Sequence, residues 1–325
     1  MKAMIARELG GPKVLKAEEI ASPEPGPGQI LVRVRACGVN FADSLVLKGK
    51  YQVQPDLPFA PGAEVAGTVL KLGEGVSGLK VGQRVAGMCG NGGYAEEALM
   101  PASGVVPLPV EMPDEVAAAF PIAYGTSHLA LKHRGRLKKG ETLVVHGAAG
   151  GVGLTAVEIG KALGARVIAT ASTPEKLEIA RKHGADELVD SSTEDLRERI
   201  KGLTGGKGAD VIYDPVGGDV FDASLRAIAF EGRLIVIGFA GGRVPQIPAN
   251  HLMVKNVDAI GFNFGAYLEK APAVTREAFS ELAGWYVEGR IRPYVSDRFT
   301  LEETPAAIAH VMERRARGKA VVLVP

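Results

Sequence analysis

Cysteine is scarce in this chain, aromatic residues are few, and neither sign of charge prevails. Two cysteines, Cys37 and Cys89, stand in 325 residues. They exclude a disulfide framework and a four-cysteine zinc cluster, and they suit a reducing, cytoplasmic setting. Lys plus Arg at 38 against Asp plus Glu at 37 leaves a formal net charge of +1. That balance lacks the basic stripe a phosphate backbone requires, so no nucleic-acid partner is expected. No apolar run is long enough for a membrane span, and "MKAMIA" reads directly into a strand with no signal peptide ahead of it.

What is present belongs to an ordinary globular chain. An apolar share of 46 % and a charged share of 23 % make disorder a poor reading. The length suggests roughly two domains. From Met1 to about Phe120, short β-branched runs ("QILVRVRACGV", "AEVAGTVLKLG", "QRVAGMC") alternate with Gly and Pro clusters, the texture of a mainly-β, partly open barrel. From about Glu141 the rhythm changes to apolar strands separated by helices: "TLVVHG", "RVIATAS", "DELVDS", "ADVIYDPVG", "RLIVIGF" and "VDAIGFNF". This alternation predicts an α/β domain with a doubly wound parallel sheet covered on both faces. Helices are expected over Val152–Leu163, after a Thr173 cap with Pro174 at the first position, and near Glu194–Leu203, Val220–Ala229 and Pro272–Glu288. The tail is too short for a third domain and is expected to complete the first.

The stretch "HGAAGGVG", His146–Gly153, falls where the first of these strands becomes a helix. A dinucleotide site needs a tight turn there, a backbone that approaches the pyrophosphate, and a helix packed close to the sheet, and glycine serves all three. The spacing of Ala148, Gly150 and Gly153 departs from strict GxGxxG at its first position, and a glycine turn without a ligand is the plain alternative. At the end of the next strand, where a carboxylate would hold the ribose of NADH, the chain has Thr170, Ala171, Ser172, Thr173 and then Lys176. Hydroxyls and a lysine suit a 2′-phosphate, which favours NADPH. A solvated helix lysine is the competing reading of Lys176.

"CGVNFADSLVLKGKY", "PGAEVAGTVLKLGEGV", "HGAAGGVG", "YDPVGGDVF" and "EGRLIVIGFAGG" resemble, in order, segments of the zinc-independent quinone oxidoreductases of the medium-chain dehydrogenase/reductase superfamily, the zeta-crystallin-like family. The resemblance runs nearly end to end and is nearest to the quinone-oxidoreductase-like branch. It implies a GroES-like catalytic domain over 1–122, completed by 266–325, and a Rossmann NADPH-binding domain over 123–265. It also implies a cofactor in a cleft and a homodimer or tetramer. The chain departs from the family at Val144 (commonly Leu), Glu158 (commonly Gln), Gln83 (commonly Asp), and at Ser191 and Leu45, where better-known members carry tyrosine.

The zinc-dependent branch of that superfamily has cysteine at the position of Asn40, histidine at that of Ala63 and a four-cysteine loop near residue 90. None of these is present and the six histidines are scattered, so no metal is expected. Without a Lewis acid to steady an alkoxide, the acceptor must itself be electron-poor, a quinone or an activated enone. The resemblance places Asn40 and Asp43 with the catalytic residues and Phe41 beside the nicotinamide, although Asn and Asp after a strand are also ordinary turn residues. Tyr51 is the nearby phenol that could stack or donate a proton. Thr126 and Leu129, in the hinge segment "PIAYGTSHLAL", are expected near the nicotinamide. The expected cofactor contacts are completed by Gly150, Gly151, Val152, Gly153, Ser172, Lys176, Ser191, Gly238, Phe239, Phe262, Asn263 and Phe264. Three readings remain open: a quinone reductase, an enoyl-thioester or alkenal reductase, and a non-catalytic NADPH-binding protein of the crystallin kind.

Overall fold

A computed structural model describes residues 1–106 and 108–325. The chain divides into two units, Met1–Ile122 with Pro293–Pro325, and Ala123–Arg292.

The first unit is built around the strand Gln29–Gly38, in which Arg33 and Arg35 face outward while their apolar neighbours are buried. This alternation is what a half-solvated strand requires. Glu64–Leu72 and Glu97–Pro101 pair with it antiparallel, and Arg84–Met88 and Val105–Val106 extend the sheet beyond Glu64–Leu72. The C-terminal strand Lys319–Leu323 joins the other edge, pairing Val321 with Gly38 and Val322 with Cys37. The last 33-residue return is therefore structurally part of the N-terminal sheet, with Val295–Thr300 lying parallel outside it. Val32, Val34, Val65, Tyr94, Met100 and Val322 meet in its core.

The second unit carries six parallel strands in the order Glu187–Asp190, Arg166–Ala171, Thr142–Val145, Ala209–Asp214, Ile228–Val236 and Asp258–Gly261. In chain order that is 3-2-1-4-5-6, the doubly wound arrangement whose direction reverses between its first and fourth strands. The strands are apolar almost throughout because both faces are covered. Helix Gly151–Ala162 ends at Leu163, with Gly164 beyond it at φ +82°. Thr173 caps Pro174–Lys182 through its hydroxyl oxygen, which accepts from the Lys176 N–H.

The structure moves one boundary expected from the sequence. Residues 266–292 pack with the second unit, and the chain re-enters the first at Pro293. The reason lies in helix Pro272–Val287, which buries Phe279, Leu282 and Trp285. Phe279 meets Phe264 edge-on at 6.3 Å, and Glu281 bonds both His128 and Lys132. The tail's shortness argued only that it could not stand alone, and it carried no information on where the crossing falls. The hinge segment also differs: Pro121–His128 is α-helical, but Leu129–Arg134 widens into a π-helix.

Candidate functional site

In the second unit, the glycine turn sits at the carboxyl end of Thr142–Val145, beside the reversal of strand order. Gly147 has φ +57°, and a Cβ on Gly153 would lie 2.1 Å from the Gly147 carbonyl oxygen. Glycine is thus demanded at Gly153 by the approach of helix to turn, and at Gly147 by its backbone. Gly150 takes the N-cap position of Gly151–Ala162 without any side-chain cap. The first-turn N–H groups, including those of Gly151, Val152 and Gly153, form the positive end of a 12-residue helix, the arrangement that receives phosphate.

The turn is braced from below. His146 is fully buried, with Nδ1 2.9 Å from Thr170 Oγ1 and Nε2 2.8 Å from Ser224 Oγ. Burial lowers its pKa, against the opposing pull of Asp214, so the ring is neutral. The Asp214 carboxylate accepts from Val216 and Gly217 N–H at 2.7 and 3.0 Å, which shapes the neighbouring loop. Ser127, next to Thr126, bonds the Val152 carbonyl, Thr155 and Tyr213, and so ties the hinge segment to the glycine helix.

Ser172 and Ser191 follow the paired strand ends Ala171 and Asp190, and the Ser191 N–H bonds the Ala171 carbonyl at 2.9 Å. Lys176 stands in the first turn of the adjoining helix. The nearest strand-end carboxylate, Asp190, is engaged by the amide and hydroxyl of Ser192. The loop after Ile228–Val236, with Gly238 and Phe239, lies against Pro215–Gly218 through Ala240 and Gly241 N–H bonds to the Pro215 and Val216 carbonyls. Phe262 stacks on Tyr267, Asn263 caps helix Phe264–Lys270, and Phe264 is buried. Thr126 and Leu129 are buried too. Side chains of Asn263 and Phe264 therefore serve the unit's own packing, while the main chain at this strand end stays at the sheet's carboxyl edge.

In the first unit, the structure gathers Asn40, Asp43 and Tyr51 into one neighbourhood and adds three residues that local sequence reading missed: Glu64, Tyr94 and Lys319. Asn40 occupies the N-cap position of the short helix Phe41–Leu47 and shares a capping box with Asp43, whose carboxylate accepts the Asn40 N–H. Its amide also reaches outside the helix: Asn40 Nδ2 donates to Glu64 Oε1 at 2.8 Å, and Lys319 Nζ donates to Asn40 Oδ1 at 2.7 Å and to Glu64 Oε1 at 2.8 Å. Glu64 is fully buried and Lys319 nearly so. Asp43 Oδ2 accepts the Asn40 N–H at 2.8 Å and the Tyr94 hydroxyl at 2.7 Å. Burial pushes the Asp43 carboxyl up to about 6, against those two hydrogen bonds. Burial and the Asp43 charge raise the Tyr51 phenol, so it keeps its proton at neutral pH. Desolvation likewise raises the thiols of buried Cys37 and half-buried Cys89, so both keep their protons at neutral pH. Glu64 and Lys319 did leave a faint trace in the sequence: each is a lone charge opening an apolar strand, "EVAGTV" and "KAVVLV".

A mainly-β unit joined to a doubly wound sheet with an uncapped glycine helix defines the dehydrogenase/reductase architecture. The family of alcohol dehydrogenase GroES-like domains matches residues 26–110, and that of zinc-binding dehydrogenases matches 151–284. A quinone oxidoreductase-like protein 2 homolog of Nematostella vectensis is 40 % identical over 99 % of this chain and 88 % of its own. The Escherichia coli quinone oxidoreductase, solved in complex with NADPH, superposes with a TM-score of 0.94 at 32 % identity, covering 99 % of this chain and 100 % of that one. A mycobacterial protein complexed with NADPH matches with a TM-score of 0.94 at 35 % identity and the same coverage. The chain belongs to the quinone oxidoreductase family of the medium-chain dehydrogenase/reductase superfamily, and it is an oxidoreductase.

The zinc ion that the second family description implies does not fit the donors on hand. The Lys319 ammonium already sits on both Glu64 Oε1 and Asn40 Oδ1, where a divalent cation would be repelled. Among the described residues, no three His, Cys, Asp or Glu side chains come together as a ligand set.

Proposed function

We propose that this oxidoreductase is a metal-free, NADPH-dependent reductase of quinones and similarly electron-poor conjugated acceptors. The observation that carries the reading is the Asn40–Glu64–Lys319 cluster: the ammonium sits where a metal ion would need its ligands, and it already donates to the Val39 carbonyl, Asn40 Oδ1 and Glu64 Oε1 rather than to a substrate carbonyl. A simple ketone would lack stabilisation for its developing alkoxide, while a quinone spreads the arriving charge by conjugation. The relatives that bear the quinone oxidoreductase name support the acceptor class.

NADPH supplies the hydride when bound. Gly150, Gly151, Val152 and Gly153 would receive its pyrophosphate on their N–H groups, and Ser172, Lys176 and Ser191 its 2′-phosphate. The backbone at Gly238, Phe239, Phe262, Asn263 and Phe264 would hold the carboxamide, with Thr126 and Leu129 toward the nicotinamide. In the first unit, Asn40 would offer its amide to the acceptor, and Asp43 holds the Asn40 main chain in place. The Tyr51 phenol, kept protonated, donates the proton that completes the two-electron reduction of a quinone to its hydroquinone.

The test is NADPH oxidation measured side by side with 1,2-quinones, 1,4-quinones and 2-enoyl thioesters. Turnover of quinones is expected. Activity confined to the thioesters would overturn the acceptor assignment, and saturable NADPH binding without turnover of any acceptor would make the protein a binder.

A further inference from the structure

The amide of Asn40 has two orientations that fill the same space, and only one of them suits its neighbours. An ammonium can only donate and an ionised carboxylate can only accept. With Lys319 Nζ on one side and Glu64 Oε1 on the other, Oδ1 must face the lysine and Nδ2 the glutamate. Flipping the amide would set N–H against ammonium and oxygen against carboxylate. The pair is itself pinned: Glu64 Oε2 accepts the Ile122 N–H at 2.8 Å, and Lys319 Nζ also donates to the Val39 carbonyl at 3.0 Å. Gly38 makes room for the arrangement, because a Cβ there would lie 2.4 Å from Glu64 Oε1. A solvated turn asparagine would need none of this, and a buried ion pair is not the cheapest way to hold a sheet together.

We infer that Glu64 and Lys319 are positioning residues that lock the Asn40 carboxamide in a single orientation. The inference deepens the proposed function, on which the role of Asn40 rests. Neither charged residue touches substrate, and both act through Asn40.

Removing either charge alone would strand the other in the interior, so the informative variant is the neutral pair Lys319→Met with Glu64→Gln. In it the Ile122 N–H still finds a carbonyl oxygen, while the introduced amide nitrogen turns toward Asn40 and favours the flipped orientation. The first measurement is the Asn40 side-chain amide resonance, assigned by its loss in Asn40→Ala. It is expected to be displaced from the range of free asparagine amides in the wild type and to move toward that range in the neutral pair. The second is kcat for quinone reduction in the wild type, the neutral pair, Asn40→Ala and the triple variant. The neutral pair should lose about tenfold or more in kcat with its KM for NADPH nearly unchanged, and the triple variant should be no slower than Asn40→Ala. An amide resonance that does not move, or losses that multiply in the triple variant, would overturn the inference. Absence of quinone turnover in the wild type would strike the proposed function alone, and the amide resonance would still decide the positioning.

Discussion

Lys319 Nζ lies 2.8 Å from Glu64 Oε1 across 255 residues of sequence, in an ion pair whose side chains are 7 % and 0 % exposed. The pair fastens the C-terminal strand to the N-terminal sheet at the point where Asn40 is held. Breaking it from one side leaves an uncompensated buried charge. Lys319→Met is therefore expected to lower unfolding stability by about 3–5 kcal/mol, and the neutral pair with Glu64→Gln by clearly less. Urea unfolding monitored by far-UV circular dichroism measures both. Equal losses would mean that the charges do not feel each other.

Coenzyme choice is the second prediction. Removing one charge-assisted contact to a 2′-phosphate costs about 1.5–3 kcal/mol, roughly tenfold or more in affinity. Lys176→Ala should weaken NADPH binding by that factor and leave NADH untouched, as read by fluorescence titration of both. Unchanged NADPH affinity would remove Lys176 from the site.

The glycine turn makes a sharper demand. The Cβ introduced by Gly153→Ala would meet the Gly147 carbonyl oxygen at 2.1 Å, a backbone atom that cannot swing aside. Helix and turn must separate, which displaces the N–H groups expected to face the pyrophosphate. NADPH and NADH should both bind at least about tenfold more weakly, the worth of about 1.4 kcal/mol. Isothermal titration of the two coenzymes distinguishes this loss from the selective one at Lys176.

Asp43 gives the fold a pH dependence of defined sign. Its carboxyl is raised from 3.8 to about 6 by burial, so between those values the folded protein holds a proton that the unfolded chain has released. The contribution is fully present below about pH 4 and is lost as pH rises through 6. Two pH units correspond to about 3 kcal/mol. Asp43→Asn keeps an acceptor for Tyr94 and Asn40 but has nothing to titrate. The stability of the variant relative to wild type should therefore rise by up to about that amount between pH 4 and 7. Unfolding curves across this range that stay parallel would show that Asp43 titrates normally.

At Tyr51 the prediction concerns chemistry alone. Loss of a general acid typically costs about a hundredfold or more, less where water substitutes. Tyr51→Phe should lower kcat for quinone reduction by about tenfold to a hundredfold while NADPH affinity holds. An unchanged kcat would assign the proton to solvent.

Much of the architecture was legible because its causes are local. Thr173 and Pro174 announce a helix start by their own chemistry, and the structure shows the Thr173 cap in place. Gly147, Gly150 and Gly153 are interpretable because a strand precedes them and a helix follows. The return at Pro293 was not legible: the helix before it joins the second unit through Phe264, His128 and Lys132, partners that no local pattern in 272–287 names. Asn40 was visible as a residue at a suggestive position, and the anchoring of its amide was not, because the groups that hold it lie 24 and 279 residues away.

Residue order alone determined the alternation of strands and helices, the demand for glycine at the strand-to-helix turn and the lack of a carboxylate at the following strand end. Each of these follows from short-range sterics, hydrophobic periodicity or side-chain type. Folding in three dimensions decided which charges would be buried together. A lysine and a glutamate that each open an apolar strand in the chain become a matched pair only when the C-terminal strand docks beside Gln29–Gly38, where low polarity makes each intolerable without the other.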